Sequence, residues 1–345
     1  MTPRHEPLRR EIARGVGGRH PVIRMGLLLG LLGLAAASAL VIYHGAGPVI
    51  ATFASAGWGL LWVALYHIVP MTANARAWQV LLPGWTRPSF GFFTWMVWVR
   101  EAVNSMLPVA RIGGEVAGAW LLTTRGVRKR PAAATLVVDM TMSLVSQLAF
   151  TLIGVGLLLS RGGGRSLADH VGVGLLIALP VLAAFGLVQR IGIFGFFARL
   201  FHLAFGDRFD RMVGGAKALD RAVHVIYRRP GRIAACGIWQ FIGWLVSSGE
   251  TWIALVALGH PVSVADAVMV TALIEAASSS AFLVPGALGV QEGGFLVLGQ
   301  VLGLPSEVSL ALALVRRARD ILVYGPALAI WQLGEGHRLI LRRSP

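Results

Sequence analysis

Residues 279–303 read SSAFLVPGALGVQEGGFLVLGQVLG, an apolar stretch that contains Pro285, Gly286 and one carboxylate, Glu292. A proline inside a helix removes a backbone hydrogen bond. A charged side chain at the centre of a membrane helix costs roughly 2.5 to 3.5 kcal/mol on insertion scales. This stretch is therefore hydrophobic enough for a membrane and yet does not fit a simple membrane span.

The whole chain has the composition of a membrane protein. Of its 345 residues, 56% are hydrophobic and 14% are charged, and the mean hydropathy is +0.70, whereas about a quarter of the residues in soluble domains are charged. A helix needs about 20 apolar residues to cross a hydrocarbon core of about 30 Å. We therefore predict an all-α polytopic membrane protein with about six full spans, at residues 25–44, 48–70, 132–159, 170–189, 233–258 and 308–333.

A second broken segment, VNSMLPVARIGGEVAGAWLLTTRG at 103–126, matches the first at a constant offset of 177 residues. The offset aligns Pro108 with Pro285, Glu115 with Glu292, Gly126 with Gly303 and Asp139 with Arg316. Many transporters contain two such units of opposite orientation, whose broken helices meet near the midplane. We predict two inverted repeats, about 48–159 and 233–334, each with a re-entrant helical segment. The alternative is that each broken segment is a pair of full spans.

The formal net charge of +15 comes from basic residues in short segments between apolar spans. The positive-inside rule and anionic lipid headgroups explain this pattern better than nucleic-acid binding does. It predicts a bacterial inner-membrane protein with both termini in the cytoplasm, a basic tail at 1–24 and a single transmembrane domain at 25–345. The segment 190–230 mixes phenylalanine with Arg and Lys. It indicates an amphipathic helix on the anionic cytoplasmic leaflet or a plain basic linker.

Enzyme signatures are absent from the sequence. It contains no P-loop, no HExxH pair and no GxSxG motif. A single cysteine, Cys236, excludes an intrachain disulfide and every metal site built from several cysteines. We therefore predict no catalytic residue, no cofactor and no metal.

Ionisable residues nevertheless lie inside the predicted membrane segments. They are Arg100, Glu101, Arg111, Glu115, Asp139, Glu275, Glu292, Arg316, Arg317, Arg319 and Asp320. Such residues must be paired, hydrated or both. They predict a polar cavity between the two halves, in which some of these groups meet a charged headgroup. The alternative is internal ion pairs that only fix helix packing, for example Arg316 with Asp320, or Asp139 with an arginine of the opposite half.

The breaks themselves add a second kind of polar group. Where a helix is interrupted at Pro108, or at Pro285 and Gly286, the free N–H groups at the start of the next half-helix are natural anion donors. Small residues at Gly113, Gly114, Gly286 and Gly289 would let a headgroup approach the backbone.

The motifs NSMLPVARIGGE and LVPGALGVQEGG, together with an arginine in the last span, resemble the integral-membrane domain of lysylphosphatidylglycerol synthase and flippase proteins. The hopanoid-biosynthesis-associated branch of that family is the closer likeness. The resemblance covers roughly residues 25–335. Members without a soluble aminoacyl-transferase domain are thought to move lipids. By position, the resemblance implies functional roles for Asn104, Gly113, Gly114, Glu115, Asp139, Pro285, Gly286, Gly289, Glu292 and Arg317.

Two positions depart from the family pattern. Many relatives carry an arginine where this chain has Gly118, and another where it has Met140. The loss of two basic groups argues against a strongly anionic phospholipid and fits a less charged or sterol-like lipid better. The repeat and the resemblance also disagree by one residue over the cavity arginine, since the repeat selects Arg316 and the resemblance selects Arg317.

These observations predict a flippase-like lipid translocase whose substrate-binding residues are Asn104, Pro108, Arg111, Gly113, Gly114, Glu115, Asp139, Glu275, Pro285, Gly286, Gly289, Glu292, Arg316, Arg317 and Asp320. The expected cargo and partner is a membrane lipid, a hopanoid or else a phospholipid. One alternative is a membrane-embedded lipid-modifying enzyme that uses Glu115, Glu292 or Asp139 as general base. Another is a non-catalytic organiser that contacts lipid-biosynthesis proteins.

Overall fold

A computed structural model describes residues 21–82, 87–107, 113–161, 216–281 and 284–341. This part of the chain is helical and contains no strand, as the sequence predicts. We number its helices α1 Pro21–Tyr43, α2 Ala46–Ser55, α3 Gly59–Tyr66, α4 Ile68–Gln79, α5 Phe90–Met106, α6 Gly113–Thr124, α7 Lys129–Ser160, α8 Ala216–Tyr227, α9 Pro230–Ala257, α10 Val264–Ser280, α11 Val290–Val301 and α12 Ser306–Leu341.

Local sequence explains where the helices before each break begin. The side chain of Ser89 accepts a hydrogen bond from the N–H of Phe92 and caps α5, and Ser263 caps α10 through the N–H of Asp266. A serine at this position satisfies one of the free donors at a helix start. Pro230 is the first residue of α9, where its missing N–H costs nothing.

Both predicted breaks are present. After α5, Leu107 has φ −106° and ψ 145°, the extended backbone favoured for a residue that precedes a proline. After α10, a 3-10 turn at Pro285–Ala287 contains Gly286 at φ 60°. Gly289 follows at φ 81° and is the N-cap residue of α11. The positive φ values explain the glycines, because residues with a Cβ rarely adopt this conformation.

The helix bounds follow the 177-residue offset. When 177 is added to the residue numbers of α6, the result is the first and last residue numbers of α11. The same addition converts the first residue of α7 into the first residue of α12. Gly126 and Gly303, which the offset pairs, lie two residues after the ends of α6 and α11, with φ 83° and 72°. The two halves therefore repeat a local chain geometry. Their opposite orientation in the membrane stays a prediction.

The predicted span at 48–70 is wrong as a single helix. The chain is interrupted around Gly57, at φ 47°, and again at His67, so that α2, α3 and part of α4 share this segment. Among the described residues, Lys129–Ser160 is long and apolar enough to cross a membrane unaided. Leu31–Tyr43 and Ala46–Ser55 qualify together but are bent by 94°. The segments at 25–44, 132–159, 233–258 and 308–333 lie almost wholly within α1, α7, α9 and α12, and 170–189 lies outside the described residues.

Helices α6 and α11 are too short to be spans themselves. Each has 12 residues, and a rise of about 1.5 Å per residue makes each about 18 Å long. Such a helix crosses only part of a hydrocarbon core of about 30 Å. Their length therefore favours re-entrant segments over pairs of full spans.

Two hydrophobic clusters flank a polar interior. One gathers residues of the first half around Trp78, Phe93 and Leu136. The other gathers mainly residues of the second half around Leu273 and Leu298, together with Ala56, Val63 and Leu158 of the first half. Helix α9 packs along α4, and α7 packs against α9 and α10, so that the two halves are interleaved.

Only the end of the predicted 190–230 linker lies within the described residues. Its helix α8 packs against α7 and α9, with Leu219 and Val223 buried and Arg221 and His224 exposed. The described end of the linker therefore packs with one face on the protein. The prediction of a leaflet-bound helix for the rest stays a prediction.

Candidate functional site

A cavity of about 320 Å³ lies between the two hydrophobic clusters. Helices α3 to α7 and α9 to α12 all contribute to its wall, so both halves of the chain form it. Its charged and histidine side chains are His67, Arg100, Glu101, Glu115, Glu250, Glu275, Arg316, Arg317, Arg319 and Asp320. Its uncharged polar and glycine residues include Asn74, Asn104, Gln147, Thr251, Thr271, Ser279, Gly286, Gln291 and Tyr324.

Arg100 organises the first half of the site. Its Nη1 atom donates to Oδ2 of Asp139 at 2.9 Å, and Nη2 donates to Oε1 of Glu101 at 3.2 Å. Oε2 of Glu115 lies 3.7 Å from Nη1, beyond a good hydrogen bond. The guanidinium also lies 5.2 Å from the ring centre of Trp78, a cation–π distance. One buried guanidinium therefore lies close to three carboxylates and compensates part of their negative charge.

Asn104 joins α5 to α6 through the Gly-Gly-acid motif. Its Nδ2 atom donates to Oε1 of Glu115 at 3.2 Å, and its Oδ1 atom accepts from the N–H of Gly114 at 2.9 Å. A Cβ on Gly114 would lie 2.1 Å from the carbonyl oxygen of Arg100, so the two helices approach this closely only with glycine. These motif residues brace the break and present Asn104 and Glu115 to the cavity.

Arg317 organises the second half in a different way. Its Nε and Nη2 atoms donate to Oε1 of Glu292 at 3.1 and 3.0 Å, and Nη1 donates to the carbonyl oxygen of Gly286 at 2.6 Å. The other oxygen of Glu292 accepts from the N–H of Gly289 at 2.7 Å. Arg317 thus ties α12 to the break between α10 and α11. Arg316, one residue earlier, forms an ion pair with Glu275 of α10.

A third cluster surrounds His67, in the interruption between α3 and α4. Its Nδ1 atom lies 2.8 Å from Oε1 of Glu250, and its Nε2 atom lies 2.8 Å from the hydroxyl of Tyr324. Arg319 donates to Oε2 of Glu250 at 3.2 Å and contacts Oδ1 of Asp320 at 3.3 Å. This cluster links α9 and α12 to the break in the N-terminal part of the chain.

Of the predicted substrate-binding residues, seven line the cavity: Asn104, Glu115, Glu275, Gly286, Arg316, Arg317 and Asp320. Asp139 and Glu292 are buried behind it and hold its arginines. Gly113, Gly114 and Gly289 belong to the helix starts at the breaks, and the backbone of Pro285 begins the 3-10 turn. Pro108 and Arg111 lie outside the described residues.

Two proposed pairings are wrong. Asp139 binds Arg100 of its own half, with Gln240 Nε2 as a second donor at 2.8 Å. Arg316 pairs with Glu275, and Asp320 contacts Arg319. The disagreement between Arg316 and Arg317 disappears, because both line the cavity. The two arginines are adjacent in α12, but Arg316 contacts Glu275 of α10 and Arg317 contacts Glu292 of α11.

The cavity also contains residues that were not among the predicted substrate-binding residues: His67, Arg100, Glu250, Arg319 and Tyr324. The sequence does indicate Arg100 and Arg319 as candidate cavity residues, since each is a charged residue inside an apolar segment. It indicates His67 more weakly, through the position of this histidine in the predicted span 48–70.

The two departures from the family pattern have structural counterparts. A Cβ on Gly118 would lie 2.9 Å from Trp78, so a larger side chain there would displace the indole beside Arg100. Met140 is partly buried and packs against the first hydrophobic cluster. The 177-residue offset pairs it with Arg317. The first half therefore has no arginine at the position from which Arg317 holds Glu292 in the second.

The described residues contain no group of three or more His, Cys, Asp and Glu side chains that could hold a metal ion. The described site provides charged side chains that pair with one another inside the protein. Among the described residues, four guanidinium groups and five carboxylates line the cavity, and most of them touch a partner of opposite charge. Such a site can bind a polar group by exchanging its internal partners for that group.

Comparison with known proteins identifies a family. The model of the family described as the lysylphosphatidylglycerol synthase TM region matches residues 27–327. No curated protein and no solved structure matches the chain. The matched residues include both breaks and every charged group that lines the cavity.

Proposed function

Since the chain belongs to the family of the lysylphosphatidylglycerol synthase transmembrane region, and is therefore a membrane protein, we propose that it is a flippase-like lipid translocase. The polar cavity between the two hydrophobic clusters is the observation that carries this proposal. The cavity receives charged side chains from both halves of the chain. A headgroup placed there would be shielded from hydrocarbon while its tail stays in the bilayer.

Ion-pair exchange is the proposed means of binding. Removing one partner of a buried ion pair costs about 3 to 5 kcal/mol, because the other charge is left uncompensated. A headgroup that offers charge or hydrogen bonds offsets that cost when it displaces a partner. Arg316 and Arg317 reach helices on either side of the second break, so exchange at these residues would couple headgroup binding to the position of α11.

Alternating access is the proposed route across the membrane. The repeated helix bounds support two related units, and in inverted-repeat transporters one unit rocks against the other around a site near the midplane. We place the protein in the bacterial inner membrane with both termini in the cytoplasm. That orientation rests on the distribution of basic residues.

A hopanoid or a related lipid is the proposed cargo. Carboxylates outnumber guanidinium groups among the described residues of the cavity wall, and Asp139 and Glu292 add negative charge behind it. This balance disfavours a strongly anionic headgroup. It suits a headgroup that donates hydrogen bonds, such as a polyol or an amine.

A leaflet-resolved assay in proteoliposomes tests the translocase. Purified protein would be reconstituted with labelled hopanoid, zwitterionic phospholipid or anionic phospholipid. The fraction of label open to a membrane-impermeant quencher would be followed over time. We expect faster exposure than in protein-free vesicles, in the order hopanoid first and anionic lipid last. Equal rates with and without protein for every lipid would reject the proposal.

The His67 cluster favours one second candidate, a lipid-modifying enzyme. The Nδ1 atom of His67 lies 2.8 Å from a carboxylate and 2.6 Å from a guanidinium nitrogen of Arg319, and its Nε2 atom lies 2.8 Å from a tyrosine hydroxyl. A histidine in contact with such groups can move a proton. Incubation of the reconstituted protein with lipid and an activated donor, followed by mass spectrometry, decides between the two. A new lipid product that is lost in His67→Gln would favour the enzyme.

A further inference from the structure

Helices α4 and α9 lie side by side and separate two spaces. On one side is the polar cavity. On the other side is a groove of about 400 Å³ whose lining is mostly apolar: Val69, Thr72, Ala73, Arg76, Phe90, Trp239, Ile242 and Val246. Val69 and Trp239 are 47% and 36% exposed, so the groove lies at the outer surface of the described protein. We call the α4–α9 contact the seam.

The two spaces use different faces of the same helices. On α4, Pro70, Met71 and Asn74 line the cavity, whereas Val69, Thr72, Ala73 and Arg76 line the groove. At about 100° per residue, these sets lie on opposite sides of the helix. On α9, Gly243 and Ser247 line the cavity, and Ile242 and Val246 line the groove. The seam is therefore one helix pair thick.

Small residues and few polar contacts close the seam. A Cβ on Gly243 would lie 2.6 Å from Oδ1 of Asn74 and 3.6 Å from Cβ of Ala73. At one end, the hydroxyl of Tyr66 donates to the carbonyl oxygen of Val246 at 3.1 Å, and His67 meets Glu250 beside it. Within the described parts of α4 and α9, no side-chain hydrogen bond or ion pair crosses the seam from Asn74 onward.

We propose that the groove binds the alkyl chain of a membrane lipid whose headgroup occupies the cavity. We also propose that the seam opens, so that one lipid molecule can extend from the cavity into the groove. The inference rests on the proposed translocase function. A translocase must admit the headgroup sideways from the bilayer while the chain stays in hydrocarbon. The seam is the place where a polar space and an apolar surface groove share one wall that is a single helix pair thick. From Asn74 onward, packing between the described parts of α4 and α9 closes this wall without a side-chain hydrogen bond.

The composition of the groove specifies its occupant. Arg76 is the one charged residue among the described residues that line the groove, and its guanidinium donates to Oε1 of Gln79 at 2.6 Å. An alkyl chain matches the apolar walls. An extended protein segment laid in the groove would instead bring backbone polar groups that the described lining could not satisfy. A helix satisfies its own backbone groups, so a helix of a second copy is the rival occupant that the crosslinking outcome below tests.

A reversible disulfide across the seam tests the opening. Ala73→Cys and Gly243→Cys would be combined in a Cys236→Ala background. The Cβ separation of 3.6 Å lies within the range of about 3.5 to 4.5 Å that disulfides adopt. We expect oxidation to lower lipid translocation in proteoliposomes at least tenfold and reduction to restore it. Each single-cysteine variant should respond to neither treatment.

The disulfide outcomes separate the two proposals. If the oxidised and reduced double variants translocate equally, the seam does not open and the inference is overturned, while the translocase function stands. If the reduced variant and the unmodified protein both fail to translocate, the translocase function itself is overturned. Photolabelling would then be the remaining test of whether the groove binds an alkyl chain.

Photolabelling provides that second measurement. Phosphatidylethanolamine with a diazirine at the end of one alkyl chain would be activated in proteoliposomes, and the labelled peptides identified. We expect label at Ile242 and Val246, reduced at least threefold by Val246→Trp. Leu245→Trp, at an exposed position of the same helix, should leave the labelling unchanged. Label spread evenly over the surface would overturn the inference, as would a crosslink from the groove to a second copy of the chain.

Discussion

Arg100 sits at 7% exposure among Asp139, Glu101 and Glu115. A single positive charge therefore lowers the cost of burying three negative ones. The second half distributes the same task over three arginines, Arg316, Arg317 and Arg319. At the residue scale the site is asymmetric, although the helices that carry it repeat.

Replacing Arg100 should strongly destabilise the protein. Arg100→Met leaves Asp139, which is 1% exposed, with an uncompensated charge, and we expect a loss of about 3 to 5 kcal/mol. The sole cysteine, Cys236, is buried, so its reaction with a thiol dye on heating in detergent reports unfolding. The double variant Arg100→Met with Asp139→Leu should recover part of the loss. Arg228→Ala, at an exposed arginine, should change little, and a similar effect at both arginines would contradict this account.

Arg316 and Arg317 should give different phenotypes. Arg317→Ala removes contacts to Glu292 and to the carbonyl oxygen of Gly286. We expect it to lower both stability, by about 1.5 to 3 kcal/mol for its charged hydrogen bonds, and translocation. Arg316→Ala removes one ion pair, with Glu275, whereas Arg317→Ala removes three donated hydrogen bonds. We therefore expect Arg316→Ala to lower stability less than Arg317→Ala does, and to lower translocation as well. Thermal unfolding and lipid transfer would be measured on the same samples, and identical behaviour of the two variants would refute the distinction.

Helices α6 and α11 are the elements that the sequence specifies best. Proline and glycine at fixed positions end one helix and start the next, because a missing N–H and a positive φ are local properties of the chain. Because these properties act within a few residues, the 177-residue offset between the two sequence motifs reappears as an offset between the helix bounds. Their local action also explains the failure at 48–70, where two residues interrupt a run that hydropathy alone treats as continuous. Gly57 has a positive φ, and Pro70 has no N–H to donate to the carbonyl oxygen of Tyr66.

At the start of α11, a glycine pair offers a matched test. Gly289 has φ 81°, and an added Cβ would meet Gly33 and Ala36 of α1 at 3.2 Å, whereas Gly293 has open space around its Cβ position. Gly289→Ala should destabilise the protein by about 1 to 2 kcal/mol through backbone strain. Gly293→Ala should stabilise it by up to about 1 kcal/mol. Thermal unfolding measures both, and the reverse order would show that the α11 start is not specified by Gly289.

The whole molecule is built so that two hydrophobic clusters hold a charged interior between them. The charges would be too costly in hydrocarbon, and each half alone would expose them. Interleaving of α9 with α4 and α7 brings second-half residues such as Gln240 and Glu250 against first-half groups. The cavity is thus a property of the assembled halves and of neither one.

The orientation of the halves is a testable prediction at this scale. In a Cys236→Ala background, Arg128→Cys between α6 and α7 should be on the cytoplasmic side, and His260→Cys between α9 and α10 on the outer side. A membrane-impermeant thiol reagent added to intact cells should label only His260→Cys, and it should label both after permeabilisation. Labelling of both from one side would contradict the inverted arrangement.

The sequence by itself determined the helical membrane class, the two breaks, the 177-residue offset and most of the charges near the cavity. These follow from composition and from backbone preferences that act within a few residues. Only the tertiary structure decided the partners: Asp139 with Arg100 across 39 residues, and His67 with Glu250 across 183. A charged side chain pairs with whichever opposite charge helix packing brings within about 3 Å. That distance depends on how distant helices rotate and slide against one another, which no local pattern of residues specifies.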